Sequence, residues 1–335
     1  MATENMPLLL GKMDVIPPAS LAFAAALSTS GSRLPQTIAH RGYKAAFPEN
    51  SMGAFHGAVT IGAHAIETDL HLSKDGVVVL THDASLKRCF GIDKKVADCN
   101  WSYLSTLRTL REPQQGLPRL SDLLEYLGQP GLEPIWLLLD IKIDDDGDDL
   151  LGRTAETIRS VLTARPWKER IVLGAWNENY INLCREHLPG FPIAYIGFSV
   201  IYARKFLGQP GVHFNLLQKT LVGPVGRRFI KAAGKAGQSV FVWTVNDEQW
   251  MEWSIRSEVD GVITDDPKRF LEVCNRFGGT AGTIPRTRRI RAARLYVGAL
   301  LMQVVYLVGM VLLWHRFSTV GRTRRVKEGL VAVKA

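Results

Sequence analysis

Between residues 36 and 266, short runs of β-branched and apolar residues alternate with stretches of helical periodicity, and this constrains the fold more than any other feature of the chain. Parallel strands need crossovers of a dozen or more residues, usually helical, so a chain that alternates in this way lays down a parallel sheet. Candidate strands begin near Thr37, Ala65, Val77, Trp136, Ile171, Ile193, Val212, Ser239 and Gly261. Helical patterns start at Ser51 and at Ser121 after Leu120, and another runs from Arg227 to Ala236 before Gly237. The predicted fold is α/β, a TIM-type (β/α)8 barrel over residues 36–275, a fold for which about 250 residues suffice. Nine candidate strands compete for its eight places.

The second and third candidates are joined only by Ser73 to Gly76, too short for a parallel crossover, so they are expected to form a hairpin. With Asp75 and Gly76 as the centre of a two-residue type I′ turn, Lys74 pairs with Val77 and Asp69 faces His82. Strand alternation then puts Glu67, Asp69 and His71 on one side, and Ile66, Thr68, Leu70 and Leu72 on the other. An ordinary barrel core would not choose the first of those faces.

Three polar clusters end or line early strands: His40-Arg41-Gly42 with Glu49 and Asn50, Glu67 and Asp69 with His82 and Asp83, and Asp140 with Lys142. Burying such charges without partners is costly, and a barrel offers one place where they converge, the C-terminal face of its strands. Carboxylates gathered there make a hard-oxygen site suited to Mg²⁺ or Ca²⁺, and histidines not needed as ligands trade protons near neutral pH. Arg41 and Lys142 suit phosphate oxygens. The remaining histidines, His56, His64, His71, His187, His213 and His315, are expected on the surface or in satisfied structural roles. The acidic run from Asp144 to Asp149 lacks the full pattern of a calcium-binding loop and is expected to be a solvated loop. Trp176 and Trp243 sit near predicted strand ends, where barrel packing and a substrate contact are both open.

The formal charge of +9 would suit a nucleic-acid binder, but its distribution does not. From Arg286 to the end there are 11 Lys or Arg and one acid, so the preceding body carries a net charge of −1. Within this tail, Leu295 to Trp314 is an apolar run interrupted only by Gln303. At about 1.5 Å per residue, a helix of that length matches the ~30 Å hydrocarbon core of a bilayer. Tyr296 and Trp314 stand at its ends and arginines flank it on both sides, which leaves orientation open. Residues 286–335 are therefore expected to be a membrane anchor, spanning or monotopic, that meets an anionic membrane surface. Residues 1–35, with a short apolar stretch from Leu21 to Leu27, make a poor signal peptide and are expected to be a flexible arm. Cys89, Cys99, Cys184 and Cys274 show no metal or redox spacing, so reduced thiols in a cytosol-facing domain are expected. Nothing suggests an obligate protein partner.

Taken together, His40-Arg41-Gly42, Pro48-Glu49-Asn50-Ser51, Glu67-Thr68-Asp69, Lys74-Asp75-Gly76, His82-Asp83, Asp140-Ile141-Lys142 and Trp243-Thr244-Val245-Asn246 resemble the glycerophosphodiester phosphodiesterase family in order and spacing. The resemblance covers roughly residues 37–270. It implies His40 and His82 as catalytic acid and base, Glu67, Asp69 and Asp140 as metal ligands, and phosphate contacts from Arg41 and Lys142. Glu49 and Trp243 are implied in supporting roles. Where this chain has Asp140 the family often has Glu, which shortens the ligand's reach. Asp140-Ile141-Lys142, Leu173-Gly174-Ala175-Trp176, Thr264-Asp265-Asp266-Pro267 and the hydrophobic tail look like the fungal phosphatidylglycerol-specific phospholipase C branch. That branch implies phosphatidylglycerol as substrate and an endoplasmic reticulum, lipid droplet or mitochondrial membrane as location. A water-soluble glycerophosphodiester is the alternative substrate, and a catalytically inactive lipid-binding barrel the second alternative.

Overall fold

The computed structural model describes residues 21–29 and 32–278. Two short strands, β1 (Leu27–Thr29) and β2 (Ser32–Leu34), pair antiparallel. They precede β3 (Gln36–His40), β4 (Ala65–Leu72), β5 (Val78–Leu80), β6 (Trp136–Ile141), β7 (Ile171–Ala175), β8 (Ile193–Gly197), β9 (Val212–Leu217), β10 (Val240–Trp243) and β11 (Gly261–Thr264). Parallel pairing runs from β3 through β4 and β6 to β11 and back to β3, which closes an eight-stranded barrel. All nine predicted strands form. The ninth, β5, stays outside the barrel as the antiparallel partner of β4.

The alternation of side chains sorts each barrel strand into an outer and an inner face. Outward residues such as Ile66, Leu137, Leu139, Leu173, Phe214 and Val262 are buried against the surrounding helices in the main core. Inward residues change chemistry from bottom to top. Ile38, Ala65, Trp136, Val172, Phe241 and Ile263 fill the lower interior. Two residues further along the same strands, or just past their ends, come His40, Glu67, Leu138, Gly174, Trp243 and Asp265. One more step up, Glu67 and Leu138 give way to Asp69 and Asp140, so the packed apolar floor carries a polar layer at the C-terminal rim.

Two expectations are corrected. Residues 21–29 and 32–34, expected as part of a flexible arm, instead seal the bottom of the barrel. Leu21 and Ala24 are buried against the lower interior, and Phe23 meets Trp136 edge to face at 5.8 Å. Gln36 donates to the carbonyls of Phe23 and Ala25 at 2.8 and 2.7 Å while accepting from the Trp136 indole at 2.7 Å. Arg33 ties the β1–β2 hairpin to Asp260 at 2.6 Å and to the Glu258 carbonyl. The apolar stretch is ordered because an open barrel end needs a lid of apolar side chains.

The β4–β5 register is also one residue away from the expected one. Leu72 pairs with Val78 and Leu70 with Leu80, so Thr81 rather than His82 lies opposite Asp69, and its amide donates to the Asp69 carbonyl. The turn is a three-residue loop, Lys74 to Gly76, with only Gly76 at positive φ (77°). A type I′ turn would need Asp75 there as well, and Ser73 Oγ instead accepts from the Val77 amide to close the longer loop. Glu67 and Asp69 still share one face, as predicted, since a strand's own alternation does not depend on its partner, and in the barrel that face is the inner one.

The predicted helix 295–314 lies outside the described residues. Among the described residues no helix is long and apolar enough to cross a membrane.

Candidate active site

The rim cluster starts with a backbone device at the end of β3. Arg41 and Gly42 both take positive φ, 56° and 79°, turning the chain sharply so that the Arg41 amide donates to Glu67 Oε2 at 3.0 Å. A Cβ on Gly42 would stand 2.7 Å from the backbone of Ala54, so glycine is required twice over, by conformation and by space. Asn50, also left-handed at φ 50°, follows in the same loop. Its Nδ2 donates to Asp69 Oδ2 and its Oδ1 accepts from Thr68, both at 2.8 Å. Ser51 then caps the helix Met52–Thr60 by accepting from the Ala54 amide. One loop therefore delivers an imidazole, a guanidinium and an amide to the same rim.

Glu67, Asp69 and Asp140 come together as the sequence predicts, each with an oxygen within 4.8 Å of the others. Lys142 Nζ sits 2.6 Å from both Asp69 and Asp140, and Arg41 Nε lies 3.2 Å from Asp69 without the alignment of a hydrogen bond. Burial raises the carboxyl of Glu67 well above its ordinary range, with the charges of Asp69 and Asp140 adding to it. Burial also raises Asp140, against the pull of Lys142. Burial would raise Asp69 as well, but Lys142 and Arg41 overcome it and hold that carboxyl low. Burial works to lower Lys142, yet its two carboxylate partners raise it, so the ammonium stays charged. Three acids facing two cations leave the cluster short of positive charge. An all-oxygen donor set in that state fits a hard divalent cation.

The two predicted catalytic histidines are held alike. His40 Nδ1 contacts Asp265 Oδ1 at 2.5 Å, and His82 Nδ1 contacts Asp83 Oδ1 at 2.7 Å. Each ring is thereby oriented with Nε2 left for the cavity. Burial lowers the His40 pKa more than the Asp265 bond raises it. Asp265 is itself held low: burial opposes, but the bond and charge of His40 prevail, with Lys44 contributing. Asn246 steadies it by donating to Oδ2 at 2.8 Å.

The supporting residues divide. Glu49 does not touch His40; it accepts from Arg41 at 2.8 Å and from both terminal nitrogens of Arg88 at 2.8 and 2.9 Å. Burial would raise its carboxyl, yet the two arginines hold it at about 2. Arg88 also donates to Asp83 at 2.6 Å, so a chain of charges runs from Arg41 through Glu49, Arg88 and Asp83 to His82. Trp243 lines the cavity and donates to the Asn215 carbonyl at 3.1 Å. His71, with no exposed surface, contacts Asp145 at 2.7 Å and the His82 carbonyl at 3.3 Å. Its expected structural role includes fixing the backbone of a catalytic residue. Asp145 belongs to the acidic run expected to be a solvated loop, which is therefore corrected there: its side chain is almost fully buried.

These groups surround an open cavity whose walls include His40, Glu67, Asp140, Lys142, Trp176 and Asn215. Sequence reasoning assigned no role to Asp83, Asp265 and Asn215, and left Trp176 open between packing and a substrate contact. Trp176 donates to Asp140 Oδ1 at 2.7 Å and packs edge-on to Trp243. Asp265 and Asp83 orient the histidines. Asn215 is buried at the cavity wall with an Oδ1 that finds no partner. The available signal was alternation: Asp265 follows inward Ile263 by two, and a polar residue continuing an inward series at a strand's C-terminal end belongs to the rim.

Comparison with known proteins agrees with this geometry. The model of the glycerophosphoryl diester phosphodiesterase family matches residues 40–269. A glycerophosphodiester phosphodiesterase of Caldanaerobacter subterraneus subsp. tengcongensis is 26% identical over 72% of this chain and 98% of its own length. Lysophospholipase D GDPD1 of Mus musculus is 25% identical over 73% of this chain and 87% of its own. The crystal structure of a glycerophosphoryl diester phosphodiesterase from Silicibacter pomeroyi superposes with a TM-score of 0.68 at 20% identity, covering 77% of this chain and 97% of that one.

Proposed function

The chain belongs to the glycerophosphoryl diester phosphodiesterase family and is a phosphoric diester hydrolase, and from that premise we propose that its substrate is a glycerophospholipid. Phosphatidylglycerol is the lipid we assign, cleaved to diacylglycerol and glycerol phosphate. The observation that carries the reaction is the pair of carboxylate-oriented imidazoles beside a three-acid cluster in one cavity.

Arg41 and Lys142 bind the non-bridging phosphate oxygens, Arg41 from the turn after β3 and Lys142 from just past β6. His40, whose basicity burial holds down, takes a proton at Nε2 from the water that attacks phosphorus as the bond to the diacylglycerol oxygen breaks. His82 returns a proton to the leaving diacylglycerol oxygen. Asp265 and Asp83 keep both rings turned for these transfers. Glu67, Asp69 and Asp140 would hold a divalent cation, Mg²⁺ or Ca²⁺, which when bound supplies charge to stabilise the phosphoryl oxygens. Asn215 Oδ1, buried and lacking a donor, suits a headgroup hydroxyl.

Support for a lipid comes from Trp176 and Trp243 on the cavity wall, from the spanning-length apolar run 295–314, and from the mouse relative named as a lysophospholipase D. We place the enzyme on a membrane with its barrel facing the cytosol. A second reading, a soluble glycerophosphodiester substrate, is favoured by the bacterial relative's name. Purified full-length protein given phosphatidylglycerol and glycerophosphoglycerol in parallel separates them. Preference for the lipid in kcat/KM is expected; a preference for the soluble diester would overturn the lipid assignment.

A further inference from the structure

The charge of the body is segregated. Residues 187–246, which include β8, β9 and β10, contain seven Lys or Arg and no Asp or Glu, so the rest of the body before Arg286 carries a net charge of −8. Within this cationic stretch lie four of the nine large hydrophobic side chains that are exposed among the described residues. Phe198, Ile201 and Tyr202 are 45%, 64% and 39% exposed, and Val225 is 57% exposed. Scattered exposed apolar residues are ordinary; a cluster is not.

Their placement is specific. Phe198 directly follows β8, and Ile201 and Tyr202 stand on the short helix Val200–Ala203 that leaves the rim there. Val225 stands in the first turn of the helix Pro224–Lys235, which follows β9. β8 and β9 are adjacent strands, and the two helices pack against each other, so the apolar side chains share one sector of the catalytic face. Ile196 of β8 and Asn215 of β9 line the cavity beside them. Exposed Arg204, Arg227 and Arg228 flank the same sector.

We propose that this sector of the barrel is itself a docking surface for an anionic lipid bilayer, separate from the hydrophobic tail. Exposed apolar side chains flanked by Arg204, Arg227 and Arg228, beside a Lys205 that Glu178 pairs at 2.6 Å, match an interface with acyl chains inside and negative headgroups outside. Docking there brings the open cavity to the bilayer surface, so an anionic lipid's headgroup enters beside Ile196 while its acyl chains remain in the membrane. The sixteen residues from 279 to 294 reach at most about 55 Å, enough for a tail in the same membrane to leave this face downward. The inference rests on the lipid reading of the active site for its purpose, but not for its test.

Hydrogen exchange on the full chain reads the surface directly. Segments 198–204 and 223–230 are expected to gain protection with vesicles containing phosphatidylglycerol and not with vesicles of phosphatidylcholine alone. No gain with either, while the protein is vesicle-bound, would overturn the proposal. So would equal gain with both, or protection by an acidic protein in place of vesicles. As a second measurement, the variants I201E/V225E and R227E/R228E should lower turnover of phosphatidylglycerol in vesicles at least about tenfold, with turnover of monomeric short-chain phosphatidylglycerol unchanged. Unchanged vesicle turnover contradicts the docking surface. Absence of turnover on every diester would count against the substrate assignment, while the exchange measurement still decides docking.

Discussion

His40 and His82 owe their roles to what sits on the far side of each ring. A carboxylate at Nδ1 fixes the orientation, and Nε2 is left for proton transfer at the phosphate. His40→Ala and His82→Ala should each lower turnover by at least about a hundredfold, the scale of losing a positioned proton-transfer group, with little change in thermal stability. Stopped assays beside thermal melts check this, and near wild-type turnover in either variant would remove that residue from the mechanism. That the histidines, the three acids, Arg41 and Lys142 would converge on one rim was legible in the sequence, because charge at barrel strands has one place to gather, while the role of each comes from the family resemblance. Asp265 and Asn215 were not, since each is a single polar residue whose meaning depends on which way its strand faces. Glu49 was legible as part of the site but not in its action, because Arg88, its main partner, lies 39 positions away and is joined to it only by folding.

The strand elements followed from alternation alone, and the errors arose where a segment answered to something other than its own pattern. The hairpin register depended on whether the turn holds two residues or three, a choice made by Ser73 and by the φ of Asp75. One residue of slip moved His82 off the ladder and into the loop beyond β5, from which it still reaches the cavity. Residues 21–29 and 32–34 resemble an arm in sequence because their partners, Trp136, Phe241 and Asp260, are far along the chain. Their order makes them part of the barrel's stability. Leu21→Ala should cost about 2–5 kcal/mol in unfolding free energy, the range for emptying a buried leucine site, while leaving kcat nearly unchanged. Denaturant titration measures this, and a loss under about 0.5 kcal/mol would show that the segment is not a working part of the barrel floor.

Across the whole chain, the proposed catalytic residues and the proposed hydrophobic anchor occupy different lengths of sequence. Every proposed catalytic residue lies between His40 and Asp265, whereas the tail from Arg286 carries ten net positive charges and the long apolar run. In the anchor we propose, apolar length would set attachment, and basic flanks would favour anionic lipid. Deleting residues 286–335 should leave turnover of dispersed short-chain substrate intact and remove most turnover on vesicles. A truncated protein that lost both would make the tail part of the folded domain. The barrel was legible at this level because eight β/α units repeat one alternation; the cationic sector was not, because the tail's larger charge masks a body that looks neutral when summed.

In the reaction we propose, a metal-holding cluster acts on one bond of one lipid, and product analysis tests both. Full-length protein is incubated with phosphatidylglycerol vesicles, with Mg²⁺ or Ca²⁺ and again after dialysis against EDTA, and the phosphorus-containing product is identified by NMR. Water-soluble glycerol phosphate is expected with the cation restored and none in the chelated protein, because Glu67, Asp69 and Asp140 form the oxygen donor set that would hold the cation. Phosphate retained on the lipid as phosphatidic acid, or full turnover in EDTA, would contradict it.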